Sequence, residues 1–370
     1  MTDIKAIKEQ NRISIIVFVF FTLRFINCFI PASTAYVLLL TIVEALALVF
    51  YAKEFGVRCN IKLFVSVSTM IAFELITWLA FGNNHLVDLF NTLLAFCLGY
   101  YMAKIKLNKK VMVYLFIIIT VSILMRLLVS GSVNSIFLRA SRNNISAFFI
   151  LVAVLFYSTY QRNERVSLIP AILTFVFSCI GEGRGGVVTS FVLLAGIVVY
   201  NLFSKKKPTI LQIIVTISAV GFLIFLIANY YDFFFSRAVD RLYSQNLLEN
   251  ERNSIIDSYF TNIRLNPMYL LFGVPSKNIP IVEYLNGNFH NSFLALHSNF
   301  GLIGFIIIIL LMFTATRKSI MNRGWLYLLL LLVICLRIFT DGLCFVGLYD
   351  PLIYYIMFLC IYGDRKECED

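Results

Sequence analysis

Only three residues of this 370-residue chain are histidine, so side chains able to do acid–base chemistry near neutral pH are few. One of them, His290, stands in GNFHNSFLALHSNFGLIGF, where a polar interval runs straight into an apolar helical pattern. Asn291 or Ser292 can cap that helix. The positive end of a helix favours a neutral imidazole, the form that a general base requires. His297 lies seven residues on, hence on nearly the same helix face two turns deeper. It reads first as a packing or hydrogen-bonding histidine.

Arginines make up the rest of the chemistry-bearing set. FLRASRNNISAFF (137–149) places Arg139 and Arg142 just before Asn143-Asn144, which cap the start of a helix where anions can settle; on this motif alone an ordinary N-cap is the preferred reading. GEGRGGVVTSF (181–191) sets Arg184 among glycines, where a backbone can approach a ligand closely. It is not a nucleotide loop, because it lacks both a preceding strand and a Lys-Ser/Thr pair. ENERNSIIDSYFTNIRLNPMYLLFGVP (249–275) reads as a short amphipathic helix carrying Arg252 and Asp257, with Ile255, Ile256, Tyr259, Phe260 and Ile263 at helical spacing. Guanidinium forks match phosphate oxygens bidentately and keep their charge when partly desolvated.

The elements that must position these residues are oily. The chain is 60% hydrophobic and 14% charged, where soluble domains carry nearer a quarter, and its mean hydropathy is +0.86. Apolar runs long enough for a bilayer predict an all-α polytopic membrane protein of about twelve spans. They fall near 13–31, 33–51, 62–81, 85–103, 111–130, 143–160, 166–181, 186–203, 209–229, 291–315, 324–341 and 350–363. Residues 1–229 form the main bundle, 230–290 a long polar loop with short helices, and 291–370 the helices that close the bundle. The first apolar run follows Lys5, Lys8 and Arg12 with no small-residue cleavage site, which fits a retained first helix. The eight cysteines show no metal spacing and read as small buried hydrophobes.

Charge sorts by side. Of the 31 lysines and arginines, 20 fall in loops on the side of the two termini, which is therefore cytoplasmic, and the long loop faces outward. The net charge of +11 thus reflects topology, and nucleic acid is excluded as a partner. Ten of the 11 remaining basic residues are arginine, including Arg24, Arg126 and Arg337 inside spans. Those three either pair with acids such as Glu44, Glu74, Asp88 or Asp341, or line a site. Arginine on the outer face, against the topological gradient, points to an anionic ligand there.

In order and spacing these motifs resemble the O-antigen polymerase and O-antigen ligase superfamily, bacterial multi-spanning glycosyltransferases of the GT-C type. The likeness covers residues 137–305; the first 130 residues match only as generic spans. The more usual turn reads Ser-Arg-Gly, whereas here Gly183 precedes Arg184, so a hydroxyl partner is missing. The resemblance implies a GT-C-like bundle in the bacterial inner membrane that takes an undecaprenyl-pyrophosphate-linked glycan at the outer leaflet, without cofactor or metal. His290 would accept the proton of the attacking sugar hydroxyl. Arg184 and Arg252, with Arg139 or Arg142, would hold the pyrophosphate, and Asn291, His297 and Asp257 would support the site. The expected partners are donor and acceptor lipid-linked oligosaccharides, membrane lipids and a chain-length regulator. Tyr231, Tyr243, Tyr259 and Tyr284 of the loop are candidates for stacking on sugars. A ligase that moves the glycan to lipid A core needs the same donor site and base, so the residues leave polymerase and ligase both open. Intramembrane charges and many spans suit a lipid-linked sugar transporter as well, although no internal repeat is visible.

Overall fold

The computed structural model describes residues 2–30, 38–43, 45–46, 49, 61–82, 86–161, 164–203, 248–285, 287–345 and 347–362. Among them, all regular structure is helical. The first group of helices is α1 (Thr2–Ile26), α2 (Ile61–Phe81), α3 (Leu86–Ile105), α4 (Lys109–Ser130), α5 (Asn143–Ser158), α6 (Ile169–Ile180) and α7 (Arg184–Phe203). The polar stretch contributes α8 (Leu248–Leu265), α9 (Met268–Phe272) and α10 (Pro280–Tyr284), and the chain closes with α11 (Ser292–Met321), α12 (Trp325–Phe339) and α13 (Asp350–Tyr362).

Three of these, α4, α7 and α11, are long and apolar enough to cross a bilayer; α5, α6, α12 and α13 are apolar but shorter. Helix is the expected choice for such sequence in hydrocarbon, because it satisfies every backbone donor and acceptor internally. The outer surface fits the same environment. Ile117, Val121, Leu124, Met125 and Leu128 form an exposed apolar strip along α4, and Ile306, Leu310 and Phe313 form another on α11. Exposed apolar surface of that extent suits lipid rather than water.

The core is built around two helices with no exposed face. In α5 every residue from Ile145 to Ser158 is buried, and in α13 every residue from Asp350 to Cys360. A helix that is apolar all round needs neighbours on every side. α5 has α4, α6, α7 and α12, and α13 has α3, α11, α12 and α5. Phe149 of α5 stacks on Phe177 of α6 with centroids 4.1 Å apart.

Several expectations change in detail. α1 begins at Thr2, so Lys5, Lys8 and Arg12 ride on the helix instead of preceding it. α11 runs on to Met321 but is broken at Gly301, whose φ is +63°. A Cβ there would strike the Leu271 carbonyl oxygen, so the glycine lets α9 pack into the break. Beside the break, the Asn299 carbonyl accepts a hydrogen bond from Thr77 Oγ1 of α2 at 2.8 Å. Arg24 and Arg126 lie over the rings of Phe20 and Phe29, at 5.2 and 5.1 Å from the centroids. The expected helix at 209–229, residues 230–247 with Tyr231 and Tyr243, and most of the expected 33–51 span fall outside the described residues.

The polar stretch carries a small core of its own. Ile255 and Tyr259 of α8 bury against Val274, Ile279, Val282 and Phe289. It is tied to the bundle through α11, where Ser298 Oγ donates to the Val274 carbonyl at 2.7 Å. Tyr259 is almost wholly buried, so its ring cannot stack on a sugar; Tyr284 is exposed.

A cavity at the start of helices α7 and α11

Three helix ends converge on one cavity of about 340 Å³. The first turn of α7 supplies Gly183, Arg184, Gly185 and Gly186; α8 supplies Arg252; His290 and Asn291 precede α11; and Arg337, Thr340 and Asp341 come from the end of α12. The glycines explain how α7 gets so close. A Cβ at Gly185 would collide with Thr340, and one at Gly186 with the Ser146 side chain of α5. The first-turn amides of α7 are therefore brought to the cavity wall, and a helix start of this kind attracts anions.

The position of His290 is set by its neighbours. Its backbone is left-handed, with φ +51°, at a cost of about 1–2 kcal/mol for a non-glycine residue. The Asn288 side chain offsets part of this by accepting the His290 N–H at 2.8 Å. Asn291 caps α11, its Oδ1 accepting from the N–H groups of Phe293 (2.8 Å) and Leu294 (3.3 Å). Ser292, fully buried, donates to the Asp341 carbonyl at 2.8 Å and accepts from Leu343 and Cys344 N–H at 2.9 and 3.0 Å. That hydroxyl clamps the start of α11 to the segment after α12, and so sets His290 beside Asp341.

His290 Nδ1 lies 3.8 Å from Asp341 Oδ1, while Asp341 Oδ2 accepts from Arg337 Nη2 at 3.1 Å. Burial works against the Asp341 charge. The His290 ring, the Arg337 guanidinium and the Gly342 N–H outweigh it and hold the carboxyl down at about 2. Asp341 is thus a fixed anion behind the imidazole. It leaves Nε2 as the ring nitrogen for a ligand and provides a counter-charge for the imidazolium that proton uptake creates.

The other charges around the cavity are less evenly matched. Arg142 Nη1 pairs with Glu182 Oε2 at 2.7 Å, and Arg337 is taken up by Asp341. Arg252 Nη2 donates to the Thr340 carbonyl at 3.1 Å. Among the described residues neither Arg184 nor Arg252 has a carboxylate partner, and both line the cavity. Two guanidiniums beside a helix start form a place for a doubly charged phosphate group.

Of the residues singled out from sequence, His290, Arg184, Arg252 and Asn291 share this cavity. Four do not line it. Arg139 is at the surface, its Nη1 donating to Asn27 Oδ1 at 3.3 Å. Arg142 is neutralised by Glu182. Asp257 points from α8 into a separate groove. His297 is held in the protein, with Nδ1 2.6 Å from the Tyr259 hydroxyl and Nε2 2.9 Å from the Leu270 carbonyl oxygen. It therefore donates from Nε2 and accepts from Tyr259, a structural arrangement with no proton to spare. Sequence reasoning named Asp341 among the possible partners of Arg337, which it is, but missed its place beside His290. Functional reading of the cavity rests on these residues alone, since no protein-family model and no curated protein matches the chain.

Proposed function

We propose that the chain is a membrane glycosyltransferase that polymerises a surface polysaccharide of the O-antigen type. It moves a glycan from an undecaprenyl-pyrophosphate carrier onto a sugar hydroxyl of a second lipid-linked repeat. In this reading the chain has twelve spans in a bacterial inner membrane, both termini are cytoplasmic, and the cavity opens outward. One observation carries the reading: a histidine backed by a fixed carboxylate shares a cavity with Arg184 and Arg252, neither of which has a carboxylate partner among the described residues. A base and a diphosphate clamp are what transfer from a polyprenyl pyrophosphate requires.

The step is a single displacement. His290 Nε2 takes the proton of the acceptor hydroxyl as its oxygen bonds to the anomeric carbon of the donor. The bond from that carbon to the pyrophosphate oxygen breaks, and the electron pair leaves with the pyrophosphate. Arg184, Arg252 and the first-turn amides of α7 stabilise the growing charge. Asp341 stabilises the imidazolium. Because pyrophosphate leaves as an anion already held by guanidiniums, the step needs no general acid, and displacement from the opposite side inverts the anomeric centre.

The test is elongation of lipid-linked repeats by the purified protein in lipid nanodiscs, read as a ladder of products. His290→Ala should slow elongation by about 10²–10⁴, and Arg184→Ala by about 10²–10³. A His290→Ala protein that elongates at the wild-type rate refutes the reading. Deletion in the source cell separates polymerase from ligase: loss of a polymerase leaves single repeats, whereas loss of a ligase strands long chains on the carrier.

Transport of the same lipid-linked glycan is the second reading, and one feature favours it. α11 is broken at Gly301, and nearby on α2 the buried Glu74 has neither carboxylate oxygen hydrogen-bonded among the described residues. Broken helices and buried acids are features of transporters. Elongation by the purified protein alone decides against it.

A further inference from the structure

α8 presents three faces. Ile255 and Tyr259 are buried in the small core, and Arg252 and Ile256 look into the cavity. The third face carries two parallel rows at four-residue spacing: Asn253, Asp257 and Thr261, and beside them Ser254, Ser258 and Asn262. Together with Asn278 and Pro280 these residues line an open groove of about 490 Å³. Every lining side chain except the proline is an amide, a hydroxyl or a carboxylate, with no lysine or arginine among them.

Two further details make this more than a wetted helix face. Asn253 lines both the groove and the cavity, so the two are continuous around one side chain. The rows also extend ~12 Å from Asn253 to Thr261 along the helix, leading away from His290 and the arginines. On its far side the groove ends at α10, whose Tyr284 stands 86% exposed one turn beyond Pro280. Closely spaced amides and hydroxyls match the paired donors and acceptors of sugar hydroxyls, and an exposed ring matches the apolar face of a sugar.

We propose that this groove is a saccharide subsite, which holds the glycan of a lipid-linked substrate as it leaves the cavity past Asn253. With one carboxylate and no lining cation, it suits neutral or amino sugars and disfavours uronic acids. The proposal rests on the transferase reading of the cavity and assigns its substrate class.

Full-length protein in nanodiscs is assayed with donor and acceptor repeats that carry lipid tails of different length, so that each KM is read separately. Ser258→Trp, from a half-buried position, and Thr261→Trp, from an exposed one, fill the groove. Each should raise the KM for one of the two substrates about tenfold, the loss of one or two hydrogen bonds, with kcat within about threefold. Whichever KM rises tells whether donor or acceptor glycan lies there. Ser258→Ala and Thr261→Val remove only the hydroxyls and should raise the same KM severalfold, so a poorly folded Trp variant does not leave the matter open. If both KM values stay at wild-type levels in all four variants while His290→Ala is inactive, the groove proposal fails and the transferase reading stands. If His290→Ala is active, both fall.

Discussion

The pairing of Arg337 with Asp341 permits a quantitative test. The Arg337 side chain is 3% exposed, and its Nη2 lies 3.1 Å from Asp341 Oδ2. At an effective dielectric of ~20, two unit charges that far apart attract by about 5 kcal/mol. Desolvation offsets part of this, but removing one partner leaves the other charge buried and alone, at a cost of about 3–5 kcal/mol. Arg337→Met and Asp341→Asn should each destabilise the protein on that scale, and the double substitution by clearly less than their sum. The four proteins are compared by unfolding in detergent, and a coupling of about 2 kcal/mol or more is expected. Additivity to within ~0.5 kcal/mol would mean that the charges do not depend on each other, and the account of Asp341 as a fixed anion would fail.

Three further predictions rest on separate contacts. Since the folded Asp341 carboxyl sits at about 2 against an ordinary 3.8, its contribution of about 2 kcal/mol is complete above pH ~4 and is lost as pH falls towards 2; unfolding curves across that window should lose this slope in Asp341→Asn. Gly186→Ala drives a Cβ into Ser146 and should cost about 1–3 kcal/mol, with Ser146→Gly in the same chain restoring most of it; no rescue in thermal melts would place the strain elsewhere. Tyr259→Phe strips His297 Nδ1 of its donor at a buried site and should cost about 1–3 kcal/mol while leaving both substrate KM values unchanged; a raised KM would return His297 to the site.

What the sequence disclosed follows from the range of each interaction. Helices that are long apolar runs, such as 109–130 and 143–158, were readable because their composition is local. So was the Asn291 cap, since a cap is set by a few consecutive residues; the glycines around Arg184 were read as room for a ligand, whereas they admit Thr340 and Ser146. The hydrogen-bonding character of His297 was readable too, but its partner and that of Arg142 were not. Arg142 meets Glu182 across 40 positions of chain, and His297 meets Tyr259 across 38, and periodicity says nothing about such pairings. Asp341 joined His290 through the Ser292 clamp, a single hydroxyl binding a segment some fifty residues away. Asp257 shows the opposite error. Five residues from Arg252 on the same helix, it was grouped with that arginine, yet that spacing puts it ~140° round α8, in the neighbouring groove.

The complete enclosure of α5 bears on how the protein is made. Its neighbours α4, α6 and α7 leave the ribosome close to it in time, whereas α12 follows almost 170 residues later. Until then the flank of α5 that α12 covers lacks that neighbour. Insertion can therefore finish helix by helix while the interior stays open, and only synthesis of the last segments seals it. The same late event brings Asp341 to His290, so a chain cut short before α12 has neither a closed interior nor a backed imidazole.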